Sequence, residues 1–151
     1  MRDSPSVPGF LASLLVLFVG GAALGNWLAD VLAPGSWVAQ VVSFFALPVA
    51  FAAGLQAWYG LAIIGMVFRL LRWSVTTGRA LPRRSRGIPG GFVFVPISST
   101  AGIIAGLIAG LASPTHSTLF VALVYWCVGT VHGLLAWLLA RTGWLAPPEA
   151  V

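Results

Sequence analysis

The sequence predicts an all-α integral membrane protein with four transmembrane helices, and three observations lead to that prediction. Of the 151 residues, 59% are hydrophobic and only 7% are charged, with a mean hydropathy of +0.98. A soluble domain has about a quarter of its residues charged, so this chain has too few polar side chains to cover a surface in water. Long charge-poor segments alternate with short turn-forming ones, and most arginines lie in one stretch. We therefore expect a single polytopic membrane domain, residues 1–151, surrounded by lipid.

The four charge-poor segments cover about residues 9–32, 36–68, 92–112 and 117–140. Each can cross a hydrocarbon core about 30 Å thick, which takes about 20 helical residues. The breaks at 33–36 and 113–117 read APGS and SPTHS, which are rich in turn formers. The first segment also has the pattern of a secretory signal, with Arg2 before the apolar run and the small residues Ala23 and Gly25 after it. We interpret it as a span that is retained.

Two of the segments predict departures from a straight helix. The second would measure about 50 Å from Ser36 to Phe68, so it must bend, tilt or protrude from the bilayer. Pro48 would allow a kink, and a re-entrant first half is the alternative. In the third segment, Pro89 and Pro96 disfavour a regular helix from residue 87, so we expect the helix to begin near Pro96. Residues 90–95 then need cover from protein, because non-helical backbone is not stable against lipid.

The arginines predict the orientation of the chain in the membrane. All eight basic residues are Arg, and six of them lie between the second and third segments: Arg69, Arg72, Arg79, Arg83, Arg84 and Arg86. Short Arg-rich loops remain in the cytoplasm, which puts both termini, with Arg2 and Arg141, on the same side. We expect a bacterial cytoplasmic (inner) membrane. The basic loop also fits a contact with anionic lipid or a partner.

Glycines at fourfold spacing predict close helix packing. The stretch AGIIAGLIAG at 101–110 places Gly102, Gly106 and Gly110 on one face of the third span. Similar pairs are Gly21 and Gly25, Ala50 and Gly54, and Gly129 and Gly133. In lipid there is no water to expel, so helices associate where small residues let their backbones approach. The pattern leaves open whether the stripe of the third span meets a helix of its own chain or a helix of another.

Polar residues inside the spans predict a polar layer. His132 shares a face with Gly129 and Gly133 and should point into the bundle. Gln56 on the second span and Ser98, Ser99 and Thr100 on the third lie at comparable depth. Such residues often mark transport pathways, and a histidine can titrate near neutral pH. The simpler interpretation is a neutral imidazole that bonds to a neighbouring helix.

The same residues argue against several functions. Paired carboxylates for acid–base catalysis are missing, because Asp3, Asp30 and Glu149 are scattered. His116 and His132 fall on opposite sides of the membrane, so we expect no metal site and no cofactor. Ser98 or Ser99 with His132 would be the only candidate dyad, and its surroundings do not fit an intramembrane serine protease. Without a folded basic surface, we expect no nucleic acid partner. Our expectation is that the protein is not an enzyme.

Three functional hypotheses remain. The first is a non-catalytic subunit or assembly partner that stabilises a larger membrane complex through small-residue helix packing. The second is a small homo-oligomeric transporter or channel with a polar layer near His132 lining its path. The third is a membrane-disrupting protein of the holin type. The partners expected from sequence are therefore the lipid bilayer and either another membrane protein or further copies of the chain.

Overall fold

The computed structural model describes residues 7–75 and 89–145, and within these residues the chain is helical throughout apart from short turns. The elements are α1 (Val7–Leu32), α2 (Trp37–Val75), the short 3-10 helix η1 (Pro89–Val93), α3 (Phe94–Leu111) and α4 (Thr118–Arg141). Helices α1, α2 and α4, and η1 together with α3, are each long and apolar enough to cross a membrane. The prediction of an all-helical, membrane-integral chain is confirmed at that level. Arg2, Arg79, Arg83, Arg84 and Arg86 lie outside the described residues.

Local sequence sets both tight turns between the helices. Gly35 has a φ of 79°, a left-handed conformation that glycine adopts readily, and it lies between α1 and α2. Ser36 follows, and its Oγ accepts a hydrogen bond of 3.2 Å from the backbone N–H of Ala39 in the first turn of α2. Ser117 caps α4 in the same way, accepting from Phe120 at 3.3 Å. These caps satisfy backbone donors that the first helical turn leaves without partners.

Helix α2 runs without interruption through 39 residues, with Pro48 inside it. The alternative of a re-entrant first half is therefore wrong, because the backbone remains helical from Trp37 to Val75. A helix of this length measures about 58 Å, well beyond the hydrocarbon core. Arg72 lies in its last turn, and since a charged side chain is costly in hydrocarbon, we expect this end of α2 to be the part that extends beyond the core.

The third span begins earlier than expected. Residues 89–93 form the 3-10 helix, and the α-helix starts at Phe94 rather than near Pro96. Pro96 falls in the first turn of α3, where a missing backbone N–H removes no intrahelical hydrogen bond. Phe94 is fully buried. Its ring contacts Gly54 of α2, and Gly91 lies against Ala140 of α4. The cover that this segment needs therefore comes from helices of the same chain.

The helices form two antiparallel hairpins, α1–α2 and α3–α4, which pack against each other mainly through α2 and α3. The hairpin turns lie together at one end, here called the turn end, and the C-terminal end of α2 and the start of η1 lie at the other, here called the loop end. Near the turn end the core is built mostly from alanine and leucine around Tyr125. Toward the loop end it is aromatic, with the ring of Phe94 in contact with the rings of Phe51 and Trp58. Trp58 is thus a core residue, with 8% of its surface exposed.

Candidate functional site

Helices α3 and α4 approach so closely that several positions between them accept only glycine. A Cβ atom placed on Gly106 would lie 2.7 Å from the Cα of Ala122, and one on Gly110 would lie 2.8 Å from the Cα of Thr118. One on Gly133 would lie 2.7 Å from the carbonyl oxygen of Phe94. Gly102 of α3 lies against the backbone carbonyl of Tyr125 on α4, and Gly129 of α4 lies against the backbone carbonyl of Ser98 on α3. Five glycines therefore set the distance between these two helices.

Glycines of the first hairpin serve the same purpose. Gly25 of α1 lies against the backbone carbonyl of Ser43 on α2. A Cβ atom on Gly21 would lie 3.1 Å from Nε2 of His132 and 3.2 Å from the Cβ of Leu47.

The small-residue stripe of α3, Gly102, Gly106 and Gly110, is occupied by α4 of the same chain and is not available to a partner. A partner would need a different surface.

Two polar contacts in the core join the first hairpin to the second. The hydroxyl groups of Ser43 on α2 and Tyr125 on α4 lie 2.6 Å apart and share a hydrogen bond. Nε2 of His132 on α4 lies 3.0 Å from the carbonyl oxygen of Leu17 on α1. Because a carbonyl only accepts, Nε2 carries the hydrogen. Hydrogen bonds between membrane helices contribute on average about 0.6 kcal/mol each.

The Ser43–Tyr125 pair is not among the polar residues that the sequence predicts to lie together. Each residue lies about two helical turns from the start of its own helix, and both helices start at the turn end. Comparison of depth along the two helices would therefore have placed these hydroxyl groups together. A tyrosine and a serine are ordinary residues in apolar helices, and the sequence gives no indication of which face each presents.

The structure brings together only part of the predicted polar layer. Ser98 and His132 are both buried, with 0% and 6% of their surface exposed. Gln56 is exposed on α2, and Thr100 is exposed on α3 with its hydroxyl bonded to the carbonyl of Pro96. Ser99 bonds to Thr130 of α4 at 2.8 Å, outside the core. Of the predicted layer, only His132 and Ser98 are therefore buried, and the buried residues Ser43 and Tyr125 lie nearer the turn end.

This arrangement does not resemble a catalytic or metal centre. His132 bonds to a backbone carbonyl rather than to Ser98 or Ser99. Across residues 7–75 and 89–145, no group of three His, Cys, Asp or Glu side chains comes close enough to hold a metal ion. Cys127 is exposed on the outer face of α4. Ser43, Ser99 and His132 each share a hydrogen bond with a group on another helix.

Polar and basic residues at the two ends also connect or terminate helices. At the turn end, Nε2 of Gln40 donates to Oδ1 of Asp30 at 2.9 Å, which joins α2 to α1. His116 is exposed beside the ring of Phe120. At the loop end, the guanidinium of Arg141 lies 5.6 Å from the ring centre of Trp137, a cation–π contact. These side chains fit the interfacial layers of a bilayer.

An apolar groove with a volume of about 750 Å³ lies on the surface between α2 and α3. Five alanines line it, namely Ala46, Ala50, Ala53, Ala101 and Ala105. Larger side chains also line it: Val41, Val42, Phe45, Val49, Pro96, Ile97, Thr100 and Ile104. We call these thirteen residues the α2–α3 groove. Its only polar side chain is Thr100, whose hydroxyl already has an acceptor. The sequence does not predict this groove, because it depends on how the two hairpins meet.

The fold and these sites define the class of protein as a helical integral membrane protein built from two glycine-packed hairpins. Comparison with known proteins adds no narrower class, since no family model, curated protein or solved structure matches the chain.

Proposed function

We propose that the protein is a non-catalytic subunit or stabilising partner of a larger membrane complex, and that a transmembrane helix of another protein binds in the α2–α3 groove. The observation that carries this proposal is the shape and composition of the groove. Alanines are the residues that allow a helix to approach closely in lipid, and five of them line this one surface. The glycine stripe, in contrast, is used within the chain.

The dimensions of the groove suit a helix. It extends along α2 from Val41 to Ala53, which is about 18 Å of helix axis and more than half of the hydrocarbon core. Val49 and Ile104 are 60% and 54% exposed, whereas Ala50 and Ala105 are buried. Protruding side chains therefore flank recessed ones, and a helix placed between them would contact both.

A different protein fits this surface better than a second copy of the chain. Twofold symmetry would place the groove of one copy against the groove of the other, and two concave surfaces do not fill each other. Contact between the groove and some other face would leave one groove free in each pair and would continue into a ring or a filament. A single foreign helix fills the groove without either consequence.

The alternative of a small transporter has weaker support. Gln56 and Thr100 are exposed instead of facing His132, and the small cavity in the core has a volume of only about 10 Å³. Conduction through one chain would need a wider path than that cavity offers. A path between several copies would need several polar groups together on an outer face, but exposed Gln56 lies outside the α2–α3 groove, and Thr100 within it already bonds to Pro96.

Photo-crosslinking in the native membrane tests the proposal. A photoreactive benzoylphenylalanine would replace Val49 in the groove or, as a control, Leu123 on α4, because these side chains are 60% and 55% exposed. We expect position 49 to crosslink to one other polypeptide and position 123 to crosslink to lipid. Lipid adducts alone at both positions, or crosslinks from position 49 only to a second copy of the chain, would overturn the proposal.

A further inference from the structure

Two buried polar atoms in the centre of the bundle have no hydrogen-bond partner among the residues that the structure describes. They are Oγ of Ser98 and Nδ1 of His132. Ser98 is fully buried and His132 is 6% exposed. Buried polar atoms are almost always paired, either with protein or with an ordered water molecule. The hydrogen bond that joins His132 to α1 uses only Nε2, so it does not account for the burial of Nδ1.

The chemistry of the two atoms is complementary. Since Nε2 donates to the carbonyl of Leu17, Nδ1 of the neutral ring is a bare acceptor that needs a donor. The hydroxyl of Ser98 can donate one hydrogen bond and accept others. A water molecule between them would donate to Nδ1 and would either accept from the Ser98 hydroxyl or donate to it.

The packing of α3 against α4 places the two residues at similar depth. Gly133 lies against Val95 and Gly106 lies against Ala122. Because the helices are antiparallel, His132 falls opposite Pro96, two residues from Ser98. Two helical residues rise about 3 Å. The two unpartnered atoms therefore belong to one layer of the core.

The neighbouring layer has both room and hydrogen-bonding capacity for water. A cavity of about 10 Å³ lies among all four long helices, lined by Gly25, Ser43, Gly102 and Tyr125 together with apolar side chains. That volume is close to what one water molecule requires. The Ser43 and Tyr125 hydroxyls share one hydrogen bond, so one of their two hydrogens remains available. Gly102 is one helical turn from Ser98 on α3.

We propose that this polar cluster is a binding site for internal water, with a water molecule bridging Ser98 Oγ and His132 Nδ1. The cavity beside it is lined by Ser43 and Tyr125, so this hydroxyl pair extends the hydrated region toward the turn end. The bound water completes the hydrogen bonding of the core. This site is separate from the α2–α3 groove and does not depend on a partner protein.

Water-edited solid-state NMR on histidine-labelled protein in lipid bilayers tests the proposal. The chain has two histidines, and exposed His116 serves as the internal reference for transfer of magnetisation from water protons to imidazole nitrogen. A His116→Gln variant assigns the two sets of signals. We expect the His132 signals to build up at mixing times comparable to those of His116. Build-up for His116 alone would overturn the proposal, because Nδ1 would then be unpaired or bonded directly to Ser98.

A pair of serine variants separates bound water from magnetisation that spreads through the protein. Ser98→Ala removes one partner of the proposed water, so we expect transfer to His132 to fall by about twofold or more. Ser13→Ala is the matched control, because the Ser13 hydroxyl is also buried but bonds to the carbonyl of Gly9 within α1. Ser13→Ala should leave transfer to His132 unchanged. An unchanged signal in Ser98→Ala would contradict a water held by that residue.

Discussion

At the scale of single residues, the glycines of this chain divide into two groups according to what surrounds them in the structure. A Cβ atom on Gly102, Gly106 or Gly129 would collide with the backbone of a neighbouring helix, whereas one on Gly20 or Gly65 would have no neighbouring atom within 4 Å. In lipid, close approach provides the dispersion contacts that hold helices together. The first group should therefore be sensitive to the smallest substitution, and the second should not.

Gly106→Ala should destabilise the fold by roughly 1–3 kcal/mol, because the added methyl group would force α3 away from Ala122 and Tyr125. Gly20→Ala is the control. It lies within α1 with open space around it, and alanine is favoured over glycine in a helix by about 0.5–1 kcal/mol. Unfolding in mixed detergent micelles measures both free energies. Equal stability of the two variants would show that α3 and α4 do not pack as described.

His132→Ala should weaken the connection between the two hairpins. The variant loses the hydrogen bond to Leu17 and the edge-on ring contact with Phe51, and it leaves space in the core. Together these losses should lower the free energy of unfolding by roughly 1–3 kcal/mol. His116→Ala, at an exposed position, should have little effect in the same unfolding assay. If His132→Ala keeps full stability but alters ion flux in reconstituted vesicles, the histidine serves transport and not structure.

At the scale of elements, sequence patterns predict the existence of the helices well and their details less well. Hydropathy and turn residues place four spans, and residues 7–75 and 89–145 contain four helical spans at nearly the same positions. The start of α3 and the continuity of α2 are less predictable, because both depend on tertiary cover. Phe94 begins α3 at a position where its ring packs against Gly54 of α2 and contacts the rings of Phe51 and Trp58. The sequence around Phe94 does not indicate these neighbours.

The orientation of these elements in the membrane remains a prediction from the arginines. Thr115→Cys, between α3 and α4, should react with a membrane-impermeant maleimide added to intact cells. Ser85→Cys, between Arg84 and Arg86, should react only after the membrane is opened, because Arg-rich loops remain in the cytoplasm. The parent chain, whose only cysteine is Cys127, gives the background. The reverse labelling pattern would contradict the predicted topology.

At the scale of the whole molecule, the function depends on surfaces that appear only when the two hairpins meet. Spacing alone predicts glycines as packing residues but leaves open which helix they meet, and in the structure Gly102, Gly106 and Gly110 lie against α4 of the same chain. The α2–α3 groove combines residues about fifty positions apart, such as Ala53 and Ala101. A single sequence gives no means of pairing them. The hydrogen bond between Ser43 and Tyr125 is equally hard to predict from the sequence, since the two residues come from different hairpins.

The central claim is that a foreign transmembrane helix binds in the α2–α3 groove, and native mass spectrometry of the gently extracted protein tests it most directly. The comparison is between the wild-type chain, Ala53→Leu in the groove and Ala23→Leu on α1, since both alanines are exposed within helices. We expect a stoichiometric second polypeptide with the wild type and with Ala23→Leu, and its loss with Ala53→Leu, because leucine fills the space that the partner occupies. A monomer or homo-oligomer in all three samples, or a complex that Ala53→Leu leaves intact, would contradict the claim.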